Sequence, residues 1–194
     1  MATETLIETH IVVLLQDGCR VHGVAEAKGG DTVILYSPAG RLDLYARILF
    51  AGGTATKRHV NDLSLHVSPV EGAPVNAWYL QYIRILGDKI NRGFGSIMLR
   101  QLLLLAEREG VAYIEGRMQQ AEHREHLDRL RYFYAKFGFV IDADGLMRWE
   151  NTRFAASRAA SEPSAARSSA SSSLDNRPLS ARLHKIIKKV LHLF

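Results

Sequence analysis

The octapeptide Lys89-Ile90-Asn91-Arg92-Gly93-Phe94-Gly95-Ser96 sets two glycines one residue apart, directly before a run with helical spacing. The first turn of a helix carries unpaired N–H groups and the positive end of the helix dipole. Glycines just ahead of it let an anion reach those groups, and a phosphate or diphosphate is the natural guest. A tight strand-to-helix turn that needs glycine only for its dihedral angles accounts for the same two residues equally well. Two familiar phosphate loops fit poorly. A P-loop ends in Gly-Lys-Ser/Thr, whereas Gly95-Ser96-Ile97 stands here. A dinucleotide-binding turn has Glu115 at a suitable distance downstream, but it wants a third glycine where Met98 stands, and GDKINR separates the strand from Gly93. His123 and His126, three residues apart among acidic neighbours, lack a third ligand and are not the HExxH pattern. They are expected on a solvated face, with no metal site.

The elements that position this loop are legible from periodicity. Residues 10–16, 19–26, 32–37 and 41–50 are rich in β-branched and aromatic residues and are separated by QDG, KGGD and SPAG, so four strands are expected. Residues 60–68 alternate as a further strand, and residues 76–86 (NAWYLQYIRIL) make a long one leading to the loop. A helix is expected from about Ser96 to Glu109, with Ile97, Met98, Leu102, Leu105 and Ala106 on one face and Gly110 as its stop. VAYIEGRM reads as a strand, residues 126–137 as a second helix closed by Gly138, and residues 139–151 as a hairpin around Asp144-Gly145.

Composition bounds the rest. The 194 residues suffice for one domain and an appendage. The single cysteine, Cys19, allows no intrachain disulfide, which fits a reducing, cytoplasmic setting. The opening MATETLIETH lacks the basic start and apolar run of a signal peptide, and no segment approaches the roughly 20 apolar residues of a membrane span. The net charge of +5 belongs to the end of the chain: residues 156–194 carry seven basic and two acidic residues, and the eighteen of each sign before them cancel. Nucleic acid therefore finds no electrostatic footprint on residues 1–155.

The loop resembles the acyl-CoA loop of the GNAT N-acetyltransferases, whose motif is Gln/Arg-x-x-Gly-x-Gly/Ala; here it reads Ile90-Asn91-Arg92-Gly93-Phe94-Gly95, departing only at Ile90. Residues 133–139, Phe-Tyr-Ala-Lys-Phe-Gly-Phe, resemble the family's Phe/Leu-Tyr-x-Lys-x-Gly-Phe signature. The preceding strand and YIEGRM between the motifs are similar to the family's strands, so the resemblance spans about residues 76–150. It implies an α/β fold with a mixed, mostly antiparallel central sheet and flanking helices. It also implies acetyl-CoA as co-substrate, its diphosphate on the amides of Arg92, Gly93, Phe94, Gly95 and Ser96. Ile83 and Ile85 would pair with the pantetheine arm as an added strand would, and a freed amide there would face the oxyanion. The N-terminal half departs from the family, which commonly places two helices between its first strands; hairpins are expected here instead.

The implied reaction moves an acetyl group to an amine and needs two proton transfers. Tyr134 occupies the family's position for the acid that protonates the leaving thiolate. A phenol with a pKa near 10 stays protonated beside a thiol near 8.5. Tyr134 also fits a packed aromatic cluster, although Leu130, Phe133 and Phe137 form the apolar face of that helix. The family often sets a carboxylate on the strand before the loop, and residues 76–86 have none. Glu115 on the next strand is the nearest acidic candidate for the base, and a solvent-facing strand end explains it equally; His66 is a further candidate, and a water relay another.

The organisation expected is therefore a GNAT-like domain over residues 1–155, with a β-rich part at 1–55; an Ala/Ser-rich flexible linker at 156–178; and a basic amphipathic helix at 179–194. Its apolar face and its Arg182, Lys185, Lys188 and Lys189 suit an anionic membrane surface or a protein partner. Two rivals to the acetyltransferase are a non-catalytic acyl-CoA-binding or scaffold protein localised by that helix, and a GNAT-type toxin that acetylates aminoacyl-tRNA.

Overall fold

The first element differs from expectation. Residues 10–16 are the C-terminal half of a helix, α1 (Glu4–Gln16), and not a strand. Ile11-Val12-Val13 supplied a β-branched run, but Leu6, Ile7, Ile11 and Leu14 share one helical face, and Ile11 and Leu14 are wholly buried. In the computed structural model, which describes residues 4–118 and 124–154, the remaining elements follow the expected order. They are β1 (Cys19–Glu26), β2 (Thr32–Pro38), β3 (Leu44–Leu49), β4 (Leu63–Pro69), β5 (Ala77–Arg84), α2 (Phe94–Arg108), β6 (Tyr113–Arg117), α3 (Arg124–Ala135), β7 (Val140–Ile141) and β8 (Leu146–Glu150). Residues 1–55 are thus three strands behind a helix. The expected linker at 156–178, the helix at 179–194 and His123 lie outside the described residues. No helix among the described residues is long and apolar enough to cross a membrane.

The eight strands form one sheet in the order β1-β2-β3-β4-β5-β6-β8-β7. Neighbours are antiparallel except β5 and β6, which α2 joins as a parallel crossover. No helix intervenes between β1 and β5, so the N-terminal half is a meander of hairpins as expected. One sheet face carries Val33, Leu35, Ala46, Leu65 and Leu80 against Met98, Leu99 and Leu102 of α2, with α3 on the same core. The other face is covered over β2 by α1, through Ile34 and Tyr36. Coverage on both sides explains why TVILYS is a continuous apolar run and not an alternating one.

A buried polar knot ties the segment between β3 and β4 to β2 and β3. Asp62 accepts hydrogen bonds from the Tyr36 hydroxyl at 2.7 Å, from Nε and an Nη of Arg47 at 3.3 Å each, and from the Thr56 hydroxyl. Thr56 accepts in turn from the Ile48 amide at 2.8 Å. The Arg47 and Asp62 side chains are almost wholly buried. Burial first, then the Asp62 charge, pushes the Tyr36 phenol well above its ordinary range, so it is a pure donor. No sealed side-chain nitrogen or oxygen among the described residues lacks a partner, and removing the carboxylate alone would strand a buried guanidinium. Asp62→Ala is expected to cost about 3 kcal/mol or more in urea denaturation; a loss below about 1 kcal/mol would show that Arg47 reaches water without Asp62.

Candidate active site

The chain leaves β5 through a 3₁₀ turn at Gly87–Lys89 and enters α2 through two left-handed residues, Asn91 (φ 64°) and Gly93 (φ 87°, ψ −2°). The helix begins at Phe94, earlier than Ser96, so Phe94 and Gly95 belong to its first turn. The first intrahelical bond runs from the Ile97 amide to the Gly93 carbonyl at 3.1 Å. The amides of Phe94, Gly95 and Ser96 therefore have no acceptor within the helix, the arrangement that receives an anion.

Each glycine also has a reason internal to the protein. Gly93 holds a left-handed conformation that a side chain strains. A β-carbon on Gly95 would stand 2.9 Å from Cδ1 of Ile85 and 3.5 Å from Cζ of Phe133. The bare side of Gly95 thus faces β5 and α3, and the loop is closed down on both.

Cations surround the loop, and one of them is committed elsewhere. Arg92 donates from its guanidinium to the carboxylate of Asp31, which is only 2 % exposed, and lies between the rings of Phe50 and Phe94 at 5.5 and 5.6 Å. Asp31 also accepts from the Ala51 amide at 3.2 Å. Arg92 is therefore a brace between the loop and the β1–β2 turn. Lys28 of the same turn lies alongside, its Cγ 3.8 Å from the position of a β-carbon on Gly93. KGGD was legible only as a turn; that its lysine and aspartate meet the loop more than sixty residues away was not.

Downstream of the turn, β5 and β6 part. They pair from Ala77 opposite Tyr113 to Leu80 opposite Gly116, and from Gln81 onward β5 has no partner on that side. Gly116 marks the apex: a β-carbon there would sit 2.7 Å from the Leu80 carbonyl oxygen. Against β4 the register slips between Leu80 and Tyr82, leaving Gln81 as the extra residue of a bulge. Ile83 and Ile85 turn their side chains into the core beneath α2, so what β5 offers along the open cleft is backbone.

Tyr134 packs more deeply than expected. Its ring is buried, edge-on to Phe133 at 5.1 Å and to Phe139 at 5.6 Å, while Tyr132 is exposed. No polar side-chain atom among the described residues is both sealed and unpartnered, and the Tyr134 hydroxyl has no hydrogen-bond partner there, so it opens onto accessible space. Burial pushes its pKa up to about 12. The neighbouring Phe133 ring touches the loop at Gly95.

The two candidate bases lie on the opposite sheet face. Glu115 alternates with the core residues Ile114 and Gly116. Its carboxylate meets Arg148 at 3.6 Å, and Arg148 in turn lies over the Tyr113 ring at 3.5 Å and bonds Glu150 at 2.5 Å. His66 stands on β4 opposite Tyr82, ring to ring at 4.4 Å, with Nδ1 3.2 Å from Oδ1 of Asp43. A carboxylate at this distance favours a proton on Nδ1 in either form of the ring. Asp43 was not singled out in the sequence, because its partner lies on another strand. Among the described residues no group of three His, Cys, Asp or Glu could hold a metal ion.

A single parallel strand pair, splayed past Leu80, with a glycine loop leading from it into the crossover helix, decides the architecture. The fold is GNAT-like. No protein-family model matches the chain, and no curated protein does. Among solved structures it is similar to a putative GNAT acetyltransferase from Desulfovibrio desulfuricans, with 17 % identity, TM-score 0.38 and coverage of 55 % of this chain and 69 % of that one. It is also similar to Arabidopsis thaliana Naa50 bound to the bisubstrate analogue CoA-Ac-MVNAL, with 17 % identity, TM-score 0.41 and coverage of 58 % and 75 %. A third is the paia N-acetyltransferase from Thermoplasma acidophilum in complex with coenzyme A, with 16 % identity, TM-score 0.38 and coverage of 78 % and 81 %. At these values the likeness supports no statement about activity, which is read below from this chain's own residues.

The loop geometry separates the two glycines. Gly93→Ala forces a β-carbon into the left-handed region and is expected to lower stability by about 1–2 kcal/mol in urea. Gly95→Ala meets only the far end of Ile85 and gains helix propensity of about 1 kcal/mol, so its stability should change by less than that of Gly93→Ala. An equal or larger loss at Gly95 would show that Ile85 and Phe133 cannot yield.

Proposed function

We propose that the protein is an acetyl-CoA-dependent N-acetyltransferase acting on an amine. The observation that carries this reading is the junction of three features: free first-turn amides of α2, the open backbone edge of β5 beside them, and a buried phenol whose neighbour packs on the same loop. In this reading the amides of residues 92–96 hold the diphosphate of the co-substrate and Lys28 adds charge at its flank. The backbone of Ile83 and Ile85 pairs with the pantetheine arm, which brings the thioester to the bulge at Gln81.

The amine enters from the sheet face that carries His66, Tyr82 and Glu115. Without helices between its first strands, this face presents an open approach, which favours an acceptor larger than the groove itself. His66 serves as the proton acceptor in preference to Glu115: Asp43 beside its Nδ1 would stabilise the ring once it gains a proton, whereas Arg148 beside Glu115 favours a carboxylate that keeps its charge. The amine nitrogen, having lost one proton to His66, attacks the thioester carbonyl; the carbon–sulfur bond then breaks, the thiolate takes the Tyr134 proton, and the phenolate is reprotonated as the new amide nitrogen sheds its second proton. Coenzyme A and an amide leave. A phenol held near 12 is wholly protonated at neutral pH, so it donates without first competing for a proton.

Release of free coenzyme A thiol from acetyl-CoA over a panel of amines tests the reading. Tyr134→Phe is expected to lower kcat by about 10²-fold or more while calorimetric acetyl-CoA affinity holds. Tight binding with no turnover on any amine would mark a non-catalytic acyl-CoA binder instead, and no heat from acetyl-CoA would remove both readings. Because Tyr134 ionises only near pH 12, wild-type activity should show no alkaline loss attributable to it below about pH 10. The sign for stability is the same: its unfolded pKa of about 10 lies below the folded one, so its contribution is full below pH 10 and is lost as pH rises through about 12.

His66→Gln and Glu115→Gln distinguish the bases. The larger fall in kcat/KM is expected at His66, and Asp43→Asn should reproduce part of it; a larger fall at Glu115 would transfer the role to that residue.

A further inference from the structure

At the opposite end of α2 from the glycine loop, a cavity of about 620 Å³ lies between the first hairpin and the last turn of the helix. Fifteen helical residues separate the two ends, about 20 Å at 1.5 Å per residue. Nothing in the acetyl-transfer reading uses this cavity. Its volume is that of a small-molecule site, and its walls combine three kinds of group.

The first is charge. Arg20, Arg41 and Arg108 all border it, against one carboxylate, Glu109. Arg108 meets Glu109 at 3.3 Å and Arg41 meets Asp43 at 3.7 Å, while no acid pairs with Arg20 among the described residues. The second is a neutral polar pair. His22 sits at the register slip in β1 between Val21 and Gly23, and its Nε2 lies 2.9 Å from the Ser37 hydroxyl. His22 and Arg20, two residues apart on β1, share the strand face that borders the cavity, and Arg20 pairs across the strands with Ser37. The third is an apolar wall, Trp78 and Leu105, both nearly buried.

We propose that this cavity binds a small organic anion, a carboxylate or phosphate on an apolar body, with the anionic group between Arg20 and Arg108 and the body against Trp78 and Leu105. Guanidinium groups suit both oxyanions, which they meet with paired N–H donors. The His22–Ser37 pair offers a neutral donor and acceptor for a further polar atom of the ligand. The field at the site agrees: the pKa of His22 is lowered to about 4, by burial first, then by Arg108 and Arg20, with Glu109 opposing. Burial does most of this, and the smaller contributions of the two arginines outnumber that of the one carboxylate, the sense of charge an anion would relieve. The inference does not rest on the acetyltransferase reading.

Phenylphosphate titrated into the full chain, followed by tryptophan fluorescence, tests it. A saturable change is expected, lost in Trp78→Phe although Trp149 remains. The double variant Arg20→Gln/Arg108→Gln should weaken binding at least tenfold, because each removes a charge-assisted contact. Both arginines are exposed, and near-ultraviolet circular dichroism checks that the variant is folded. Inorganic phosphate, which has no apolar body, should bind more weakly than phenylphosphate. Saturating coenzyme A should leave the phenylphosphate affinity unchanged, because the loop is at the far end of α2. Absence of a saturable signal at millimolar phenylphosphate, equal affinity in the double variant, or displacement by coenzyme A would each overturn the proposal.

Discussion

The absence of a β-carbon at Gly95 lets three elements meet at one point. Ile85 arrives from the end of β5, Phe133 from α3, and the helix that begins at Phe94 passes between them. With close packing in the interior, an added methyl group there would press first on the far end of Ile85 and only touch the Phe133 ring. The end of β5, the first turn of α2 and the helix that carries Tyr134 are therefore in contact around one residue. The conformational demand falls on the neighbouring glycine: Gly93 supplies the left-handed turn, and Gly95 supplies the room.

That joint is fastened to the N-terminal half by an ion pair of unequal exposure. Asp31 is nearly sealed, while the Arg92 side chain keeps about a third of its surface. Burying a carboxylate is tolerable only when it is paired and hydrogen-bonded; Arg92 and the Ala51 amide meet that need. The arrangement also changes what Arg92 contributes to an anion at the loop. Its charge is largely compensated, so in the proposed site oriented backbone dipoles and Lys28 would carry the attraction. A site built this way depends on the geometry of main-chain nitrogens more than on long side chains, which suits a loop pinned on two sides.

The parts legible in advance were those encoded within a few residues of one another. The glycine spacing, the helix stop at Gly110, the hairpin at Asp144-Gly145 and the alternation in β4 and β5 all have local physical causes, while the mixed sheet was expected from the family resemblance of residues 76–150. The helix α1 was not legible, because a run such as Ile11-Val12-Val13-Leu14 is compatible with either period until the covering face is known. Tertiary partners were equally hidden. Nothing near Arg92 announces Asp31, nothing near His66 announces Asp43, and the depth of Tyr134 depends on Phe139 folding back over it. The cavity at the end of α2 is the extreme case, assembled from the termini of β1, β2, β4, β5 and α2 with no motif in any of them.

Charge arithmetic gives the same lesson from another side. The eighteen basic and eighteen acidic residues before residue 156 cancel, and most of the buried or half-buried arginines obey that sum pairwise: Arg47 with Asp62, Arg92 with Asp31, Arg148 with Glu115 and Glu150. A neutral total gives no indication of a broad basic stripe of the kind nucleic acid favours. It does not exclude a local surplus, because pairing that neutralises one region leaves another uncompensated. Around His22 no acid pairs with Arg20 among the described residues, and Arg108 meets Glu109. A surplus confined to a cavity of this size, and not spread over a face, selects for an anion small enough to enter it.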